Sequence, residues 1–115
     1  MKKLFCSQPF FNKTEYEVKY ERYGALVTLQ TIFGIDLSNF EIIDNYDHPE
    51  IPENAGRMIH LGRRLMHLGR SIQQMADADL VYFCKGWESS KECQIEKEIC
   101  ETYGIPYIVY PYNQL

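Results

Sequence analysis

A single glutamate interrupts the apolar face of the last predicted helix. On a wheel of about 100° per residue, Glu96 falls between Cys100 and Tyr103, whereas its neighbour Glu98 falls on the polar side. The apolar side of this wheel comprises Cys93, Ile95, Ile99, Cys100 and Tyr103. Burial of an ionised carboxylate is costly, so such a group is hydrogen-bonded, shifted in pKa or used in chemistry. Glu96 is therefore predicted either to be catalytic or to be tied to a core tyrosine or the backbone.

The segment before Glu96 favours a ligand site. Residues 85–90, Lys-Gly-Trp-Glu-Ser-Ser, lead into the helix, whose free N–H groups and positive dipole end favour an anion. Ser89 and Ser90 are natural N-caps, and either hydroxyl could instead hold a sugar or phosphate oxygen. Trp87 could stack on a base or anchor the core.

Short apolar strands alternate with helical segments along the chain. The predicted first helix begins at a capping box formed by Thr14 and Glu17, runs to Phe33 and stops at Gly34. The residues at 45–54, with two prolines, form a predicted loop of the kind that shapes pockets. The other predicted elements are strands at 4–6, 40–44, 80–84 and 105–110, and helices at about 55–76 and 91–104.

This alternation predicts an α/β fold, a three-layer doubly wound parallel sheet of Rossmann/flavodoxin-like type, with strands in the order 2-1-3-4. Ligands bind such sheets beyond the C-terminal ends of the strands, where the strand order reverses. The loops after Cys6 and Cys84 are therefore predicted to line the pocket. The length of 115 residues predicts one domain spanning 1–115.

The second helix contains a local duplication. Residues 57–63, Arg-Met-Ile-His-Leu-Gly-Arg, are followed by Arg-Leu-Met-His-Leu-Gly-Arg at 64–70. Gly62 and Gly69 fall seven apart, where another backbone could approach closely. The heptads either serve packing or form a subunit contact, which would make the protein a homodimer or higher homo-oligomer. Their four arginines could bind a partner protein or polyphosphate, although they scatter around the helix as solvated residues do.

Composition excludes several classes of protein. A net charge of -4 and a pI near 5.3 argue against a nucleic-acid polymer as partner. No apolar run approaches the roughly 18 residues of a membrane span, and Gln8 and Pro9 interrupt the basic N-terminus before a signal peptide could form. We therefore expect a cytoplasmic protein without a membrane partner. The four cysteines contain no CxxC pair, which predicts buried thiols and neither a metal nor a cofactor.

Three segments, taken in order, resemble the nucleoside 2-deoxyribosyltransferase superfamily, which includes the deoxynucleoside 5′-monophosphate N-glycosidases and short relatives that are often phage-borne. They are Leu-Phe-Cys-Ser-Gln-Pro-Phe-Phe at 4–11, Ala-Asp-Leu-Val-Tyr-Phe at 78–83, and Glu96 with Cys100 at +4 and Gly104 at +8 before Ile-Pro. The resemblance spans essentially the whole chain, although each motif is short and only the combination is specific. Cys100 stands where the family usually has alanine or glycine.

The resemblance implies roles for individual residues. Glu96 would attack the anomeric carbon of a deoxyribose, release the base and form a glycosyl-enzyme that water or a second base resolves. Ser90 matches the serine of the monophosphate hydrolases, which would favour a 5′-phosphorylated substrate. Ser7, Gln8 and Phe10 match the loop that contacts sugar or phosphate and base.

One position departs from the family pattern. Counting back eight residues from Asp79 gives Ser71, where the resemblance implies a second catalytic aspartate. A serine cannot protonate a leaving base as a carboxylic acid can. Asp44, a further candidate substrate-binding residue, or Asp77 could supply the acid. The leading hypothesis is an N-glycosidase or deoxyribosyltransferase acting on a nucleoside or nucleotide, and the alternative is a catalytically weak nucleotide-binding or sensing module.

Overall fold

The computed structural model describes residues 1–10, 13–45 and 56–110, apart from the side chains of Arg57 and His60. Apart from Asn45, the loop predicted at 45–54 lies outside these ranges, as does the predicted helix start near Ala55. The strands are β1 (Lys2–Ser7), β2 (Phe40–Ile42), β3 (Leu80–Phe83) and β4 (Tyr107–Val109); the α-helices are α1 (Glu15–Ile32), α2 (Arg57–Met75) and α3 (Lys91–Tyr103). Short 3-10 turns at Leu37–Asn39 and Trp87–Ser89 precede β2 and α3.

The strands form one sheet in the order β2-β1-β3-β4, and each pair is parallel. Leu4 is in register with Ile42 on one side and with Leu80 on the other, so β1 is central. The predicted Rossmann-like α/β fold with this strand order is confirmed. The order reverses between β1 and β3, which places the ends of these strands at the switch point.

Helices cover both faces of the sheet. On one face Leu4 and Cys6 of β1 pack with Tyr82, Cys84 and residues of α1, among them Ala25 and Leu29. On the other face Phe5 packs with Val81, Phe83, Met75 of α2, and Cys93 and Cys100 of α3. Because side chains alternate along a strand, Ser7 falls on the same face as Phe5. The last residue of β1 is thereby directed toward α2 and α3.

The helices begin and end at the capping residues that the local sequence predicts. Thr14 and Glu17 form the complete capping box at the start of α1. Gly34 follows α1 with φ of 67°, and Gly104 ends α3 with φ of 72°, a left-handed conformation that favours glycine. Ser90 caps α3, because its Oγ accepts from the backbone N–H of Cys93 at 3.2 Å. The Ser90 cap fixes where α3 begins, and thereby the position of Glu96 along that helix.

All four cysteines are buried free thiols, as predicted. In the part of the chain that the structure describes, no helix is both long and apolar enough to cross a membrane.

Candidate functional site

Glu96 lies inside the protein. It is 5% exposed and shares the buried stripe of α3 with Cys93 and Cys100, at spacings of three and four residues. The wheel was wrong about Ile95 and Tyr103, which are 41% and 76% exposed. The buried stripe is narrower than the apolar side of the wheel, because only one line of α3 side chains faces the sheet. Glu96 is at the centre of that line.

Two serines from remote segments lie beside the Glu96 carboxylate. The Ser7 hydroxyl donates to Glu96 Oε1 at 2.6 Å, and this hydrogen bond is buried. The Ser71 hydroxyl of α2 is close enough to lower the pKa of Glu96, and Ser71 is itself only 2% exposed. The end of β1, the last part of α2 and the middle of α3 thus meet at one acid.

Burial raises the pKa of Glu96 from its ordinary 4.5 to about 7, against the opposing effect of the Ser7 hydrogen bond. The negative charge of Glu92 raises the pKa further, and the neighbouring Ser71 hydroxyl lowers it. A carboxyl group with a pKa near neutrality can exchange a proton under working conditions, and its ionised form is a poorly solvated nucleophile or base. Such a perturbed acid at the switch-point edge of the sheet is a candidate catalytic group.

A second acid adjoins this site and was missed in the sequence. Glu92 lies one turn before Glu96, and Arg64 of α2 pairs with it at 2.5 Å between Nη2 and Oε1. Burial raises the pKa of Glu92, but the hydrogen bond and charge of Arg64 outweigh burial and bring the pKa below its usual range. The sequence signal that could have identified Glu92 is its spacing of four residues from Glu96, which puts both side chains on one face of a helix. Glu92 is therefore the ionised partner and Glu96 the one that titrates near neutrality.

Phe10 contacts α2, on the same side of the sheet as Glu96. Its ring meets the ring of His67 on α2 edge-on, with centroids 4.8 Å apart. His67 also lowers the pKa of Glu92 through its charge. Phe10, the predicted base-contacting residue, therefore packs against α2, which covers the face of the sheet that Glu96 faces.

Gln8 is held in a different set of contacts. Its Nε2 donates to the carbonyl oxygen of Val18 at 3.0 Å, and its Oε1 accepts from Arg22 Nε at 2.9 Å. Arg22, which is 8% exposed, also donates to Asn45 Oδ1, and Asn45 in turn donates to the Cys6 carbonyl oxygen at 3.0 Å. This buried network joins β1, α1 and the end of β2. Gln8 thus positions the loop after β1, with both ends of its amide in use.

The two acids considered as substitutes for the missing aspartate lie elsewhere. Asp77 forms an ion pair with Lys3 Nζ at 2.9 Å, near the start of β1. Lys3 and Ser7 are four strand residues apart, about 13 Å along the strand, so Asp77 is at the opposite edge of the sheet from Glu96. Asp44 has a side chain that is 71% exposed and lies 3.7 Å from Arg22 Nη1. Neither carboxylate adjoins Glu96.

The contacts of Trp87 and Ser90 give both residues structural roles. The Trp87 indole N–H donates to the Tyr110 carbonyl oxygen, and its ring packs at 5.9 Å from the Phe83 ring. These contacts favour the core-anchor alternative over a stacking platform. Ser90 is the N-cap of α3, and its hydroxyl proton is available for a further hydrogen bond because Ser90 Oγ acts as the acceptor in the cap.

The loops after β1 and β3 line a cavity of about 250 Å³. Gln8 and Pro9 contribute from the first loop, and Cys84 and Lys85 from the second. This is where the strand order predicts a pocket. However, its wall includes Tyr82 and Ala25 from the core beneath α1, whereas Glu96 faces the core beneath α2 and α3. The cavity and the buried acid therefore lie on opposite faces of the sheet.

Glu96 is the only buried acid among the described residues. Its two serine partners and the Glu92–Arg64 pair beside it make up the candidate site. Ser71, the position for which the resemblance implies a catalytic aspartate, lies beside Glu96. Comparisons of the chain with protein-family models, with curated proteins and with solved structures found no match.

Proposed function

We propose that this protein cleaves the base–sugar bond of a nucleoside or nucleotide, as an N-glycosidase or 2-deoxyribosyltransferase, with Glu96 as the nucleophile. The observation that carries the proposal is the buried Glu96 carboxyl group, hydrogen-bonded by Ser7 and lying beside Ser71 at the switch-point edge of the sheet. Ser71 occupies the place of the second catalytic residue implied by the resemblance.

The reaction has two steps. The ionised Glu96 carboxylate attacks C1′ of the sugar, the C1′–N bond breaks, and its electron pair leaves with the base, which takes up a proton. Water, or the N–H nitrogen of a second base, then attacks C1′ and gives up its proton to solvent, which balances the proton taken up by the first base. The bond between C1′ and the Glu96 oxygen breaks, which releases the sugar product and returns Glu96 as a carboxylate. Covalent capture divides one displacement through an oxocarbenium-like state into two easier ones.

The residues beside Glu96 would set the position and the pKa of its carboxyl group, and so its reactivity as a nucleophile. The Ser7 hydroxyl fixes the position of Oε1 and stabilises the ionised form through a charge-assisted hydrogen bond. Burial keeps the pKa of Glu96 high, and the charge of Glu92, which Arg64 holds ionised, raises it further. The Ser90 hydroxyl and the N-terminus of α3 would favour a substrate with a 5′-phosphate.

The alternative function is a nucleotide-binding or sensing module with weak catalysis, which two observations favour. Ser71 offers a hydroxyl group where a carboxylic acid would protonate the leaving base. A pKa of about 7 also leaves about half of Glu96 protonated at neutral pH, and a protonated carboxyl group is a poor nucleophile. Binding requires neither the second acid nor full ionisation.

One experiment separates the two functions. The purified protein is incubated with a panel of deoxynucleosides and deoxynucleoside 5′-monophosphates, and the free base is followed by chromatography. We expect base release by the wild type and none by Glu96→Gln, with Glu98→Gln, an exposed glutamate on the same helix, as the matched control. If the wild type releases no base while a nucleotide raises its melting temperature, the binding module is the correct function. If Glu96→Gln releases base at the wild-type rate, the assignment of Glu96 is wrong.

A homo-oligomer in the cytoplasm is part of the same proposal. The first half of α2 exposes apolar side chains on the face that its second half buries: Met58 is 87%, Leu61 44% and Leu65 59% exposed, whereas Met75 is fully buried. Gly62 and Gly69 are exposed as well, with no heavy atom from elsewhere in the fold within 4 Å of where a Cβ would be. An apolar stretch of this kind marks an interaction surface. A second copy of the chain would cover it.

A further inference from the structure

The departing base needs a proton donor, and the other acidic groups of α3 near Glu96 cannot supply the proton. Glu92 lies one turn before Glu96, and burial raises its pKa, but the ion pair with Arg64 outweighs burial and keeps the carboxylate ionised. Cys93 and Cys100 are buried thiols, and burial raises the pKa of each to about 11. Such thiols are poor acids near neutral pH. Among the described residues, the remaining candidate is on α2.

His67 lies on the face of α2 that packs toward α3. It follows Arg64 by three residues and precedes Ser71 by four, so these three side chains project from one face of the helix. Arg64 contacts Glu92, and Ser71 lies beside Glu96. The position of His67 along α2 therefore falls between the level of Glu92 and the level of Glu96.

His67 is nearer to the surface than Ser71. It is half-buried, whereas Ser71 is 2% exposed. Its ring meets the ring of Phe10 edge-on, with centroids 4.8 Å apart, and Phe10 is the residue predicted to contact the base. A base that lay against Phe10 would therefore lie beside the imidazole. The charge of His67 acts on Glu92, and the attraction between opposite charges favours the protonated imidazole.

We propose that His67 is the general acid and general base of the reaction. This inference rests on the proposed function, because it assigns the proton transfers of that reaction. As the C1′–N bond breaks, the His67 imidazolium donates its ring N–H proton to a nitrogen of the departing base. The neutral imidazole then takes a proton from the water or second base that attacks C1′, so His67 is an imidazolium again when Glu96 leaves. His67 thereby replaces solvent as the source and acceptor of the proton, the role that histidine most often fills in enzymes.

A leaving group that departs without a proton tests this role. The nucleoside or nucleotide that the wild type cleaves fastest is compared with 4-nitrophenyl 2-deoxyriboside carrying the same 5′ group, because 4-nitrophenolate departs as an anion. His67→Phe keeps a ring against Phe10 but carries no proton. We expect this variant to release the base about 100-fold more slowly than the wild type, or slower still, and to release 4-nitrophenolate at nearly the wild-type rate. Glu96→Gln should release neither, since both substrates need the nucleophile.

Controls separate proton transfer from packing. Both rates are measured on one preparation, so their ratio does not depend on how much of the variant is folded. Gln73→Phe, at an exposed position of α2, should cleave both substrates as the wild type does. Adding Ser71→Asp to His67→Phe, which returns a proton donor one turn along α2, should recover part of the base release.

Two results would overturn the role of His67 and leave the proposed function intact. They are an equal loss of both activities in His67→Phe, which is the effect of a structural residue, and wild-type rates on both substrates in that variant. Failure of the wild type to release any base from the whole panel would instead overturn the proposed function and this inference together.

Discussion

The Ser7 hydroxyl and the Glu96 carboxylate, 89 residues apart in the chain, meet at 2.6 Å in the interior. Ser7 ends β1, and Glu96 lies on the buried line of α3. The hydrogen bond stabilises the ionised acid, while burial opposes ionisation and brings the pKa to about 7. The balance between these two effects makes the site sensitive to pH and to single substitutions.

The stability of the protein should report the titration of Glu96. A carboxyl group whose pKa is raised by folding stabilises the fold fully below its unfolded pKa, and this contribution is lost as the pH rises through the folded pKa. The difference between 4.5 and about 7 corresponds to about 3 kcal/mol of unfolding free energy. The free energy of unfolding of Glu96→Gln, compared with that of the wild type, should therefore rise by up to this amount between pH 4.5 and pH 8. Urea unfolding of both proteins at the two pH values measures it, and an equal difference at both would contradict the raised pKa.

Ser7→Ala should raise the pKa of Glu96 above its present value. The substitution removes a hydrogen bond to the charged form, which costs about 1.5–3 kcal/mol where the acid is ionised, so the loss of stability should be larger at pH 8 than at pH 5. Carboxyl-carbon NMR of Glu96 follows the titration directly and needs no substrate. The exposed Ser89, replaced by alanine, is the control. An unchanged titration midpoint in Ser7→Ala would show that the contact contributes nothing.

Ser71→Asp should increase base release, if the protein is an enzyme that lacks its second acid. The new carboxyl group would lie beside Glu96, where two acids share a proton and one can protonate the leaving base. We expect the rate of base release to rise about tenfold or more, because general acid catalysis contributes effects of that size and larger. Ser71→Asn, which introduces an uncharged amide of the same shape as aspartate, should give no rise. Initial rates of base release compare the two variants. Equal rates for both would argue that the missing acid does not limit turnover.

Leu65→Lys should lower the molar mass of the protein in solution. Leu65 lies in the exposed apolar half of α2, and a charge there would disfavour an interface between copies. Light scattering coupled to gel filtration gives the mass. Tyr20→Lys is the matched control, because Tyr20 is 68% exposed on α1 and carries the same change of charge. A wild type of monomeric mass would refute the proposed oligomer, and equal dissociation by Tyr20→Lys would place the interface elsewhere.

The sequence by itself determined the order of the elements along the chain and the presence of an acid inside α3. Each depends on local patterns: apolar runs, caps such as Thr14 and Ser90, and the period of a helix. The same local patterns identified Glu96 but misjudged Ile95 and Tyr103, because a wheel gives the direction of a side chain and not the width of the surface that covers it.

Only the tertiary structure decided which side chains meet. Nothing in the spacing of Arg64, Ser71 and Glu92 shows that α2 packs along α3 so that Arg64 pairs with Glu92 and Ser71 with Glu96. The structure also directs Ser7 to one face of the sheet and holds Gln8 in a network with α1 on the other. These contacts depend on how remote segments rotate against one another when the core closes, and close packing rather than local pattern sets that rotation.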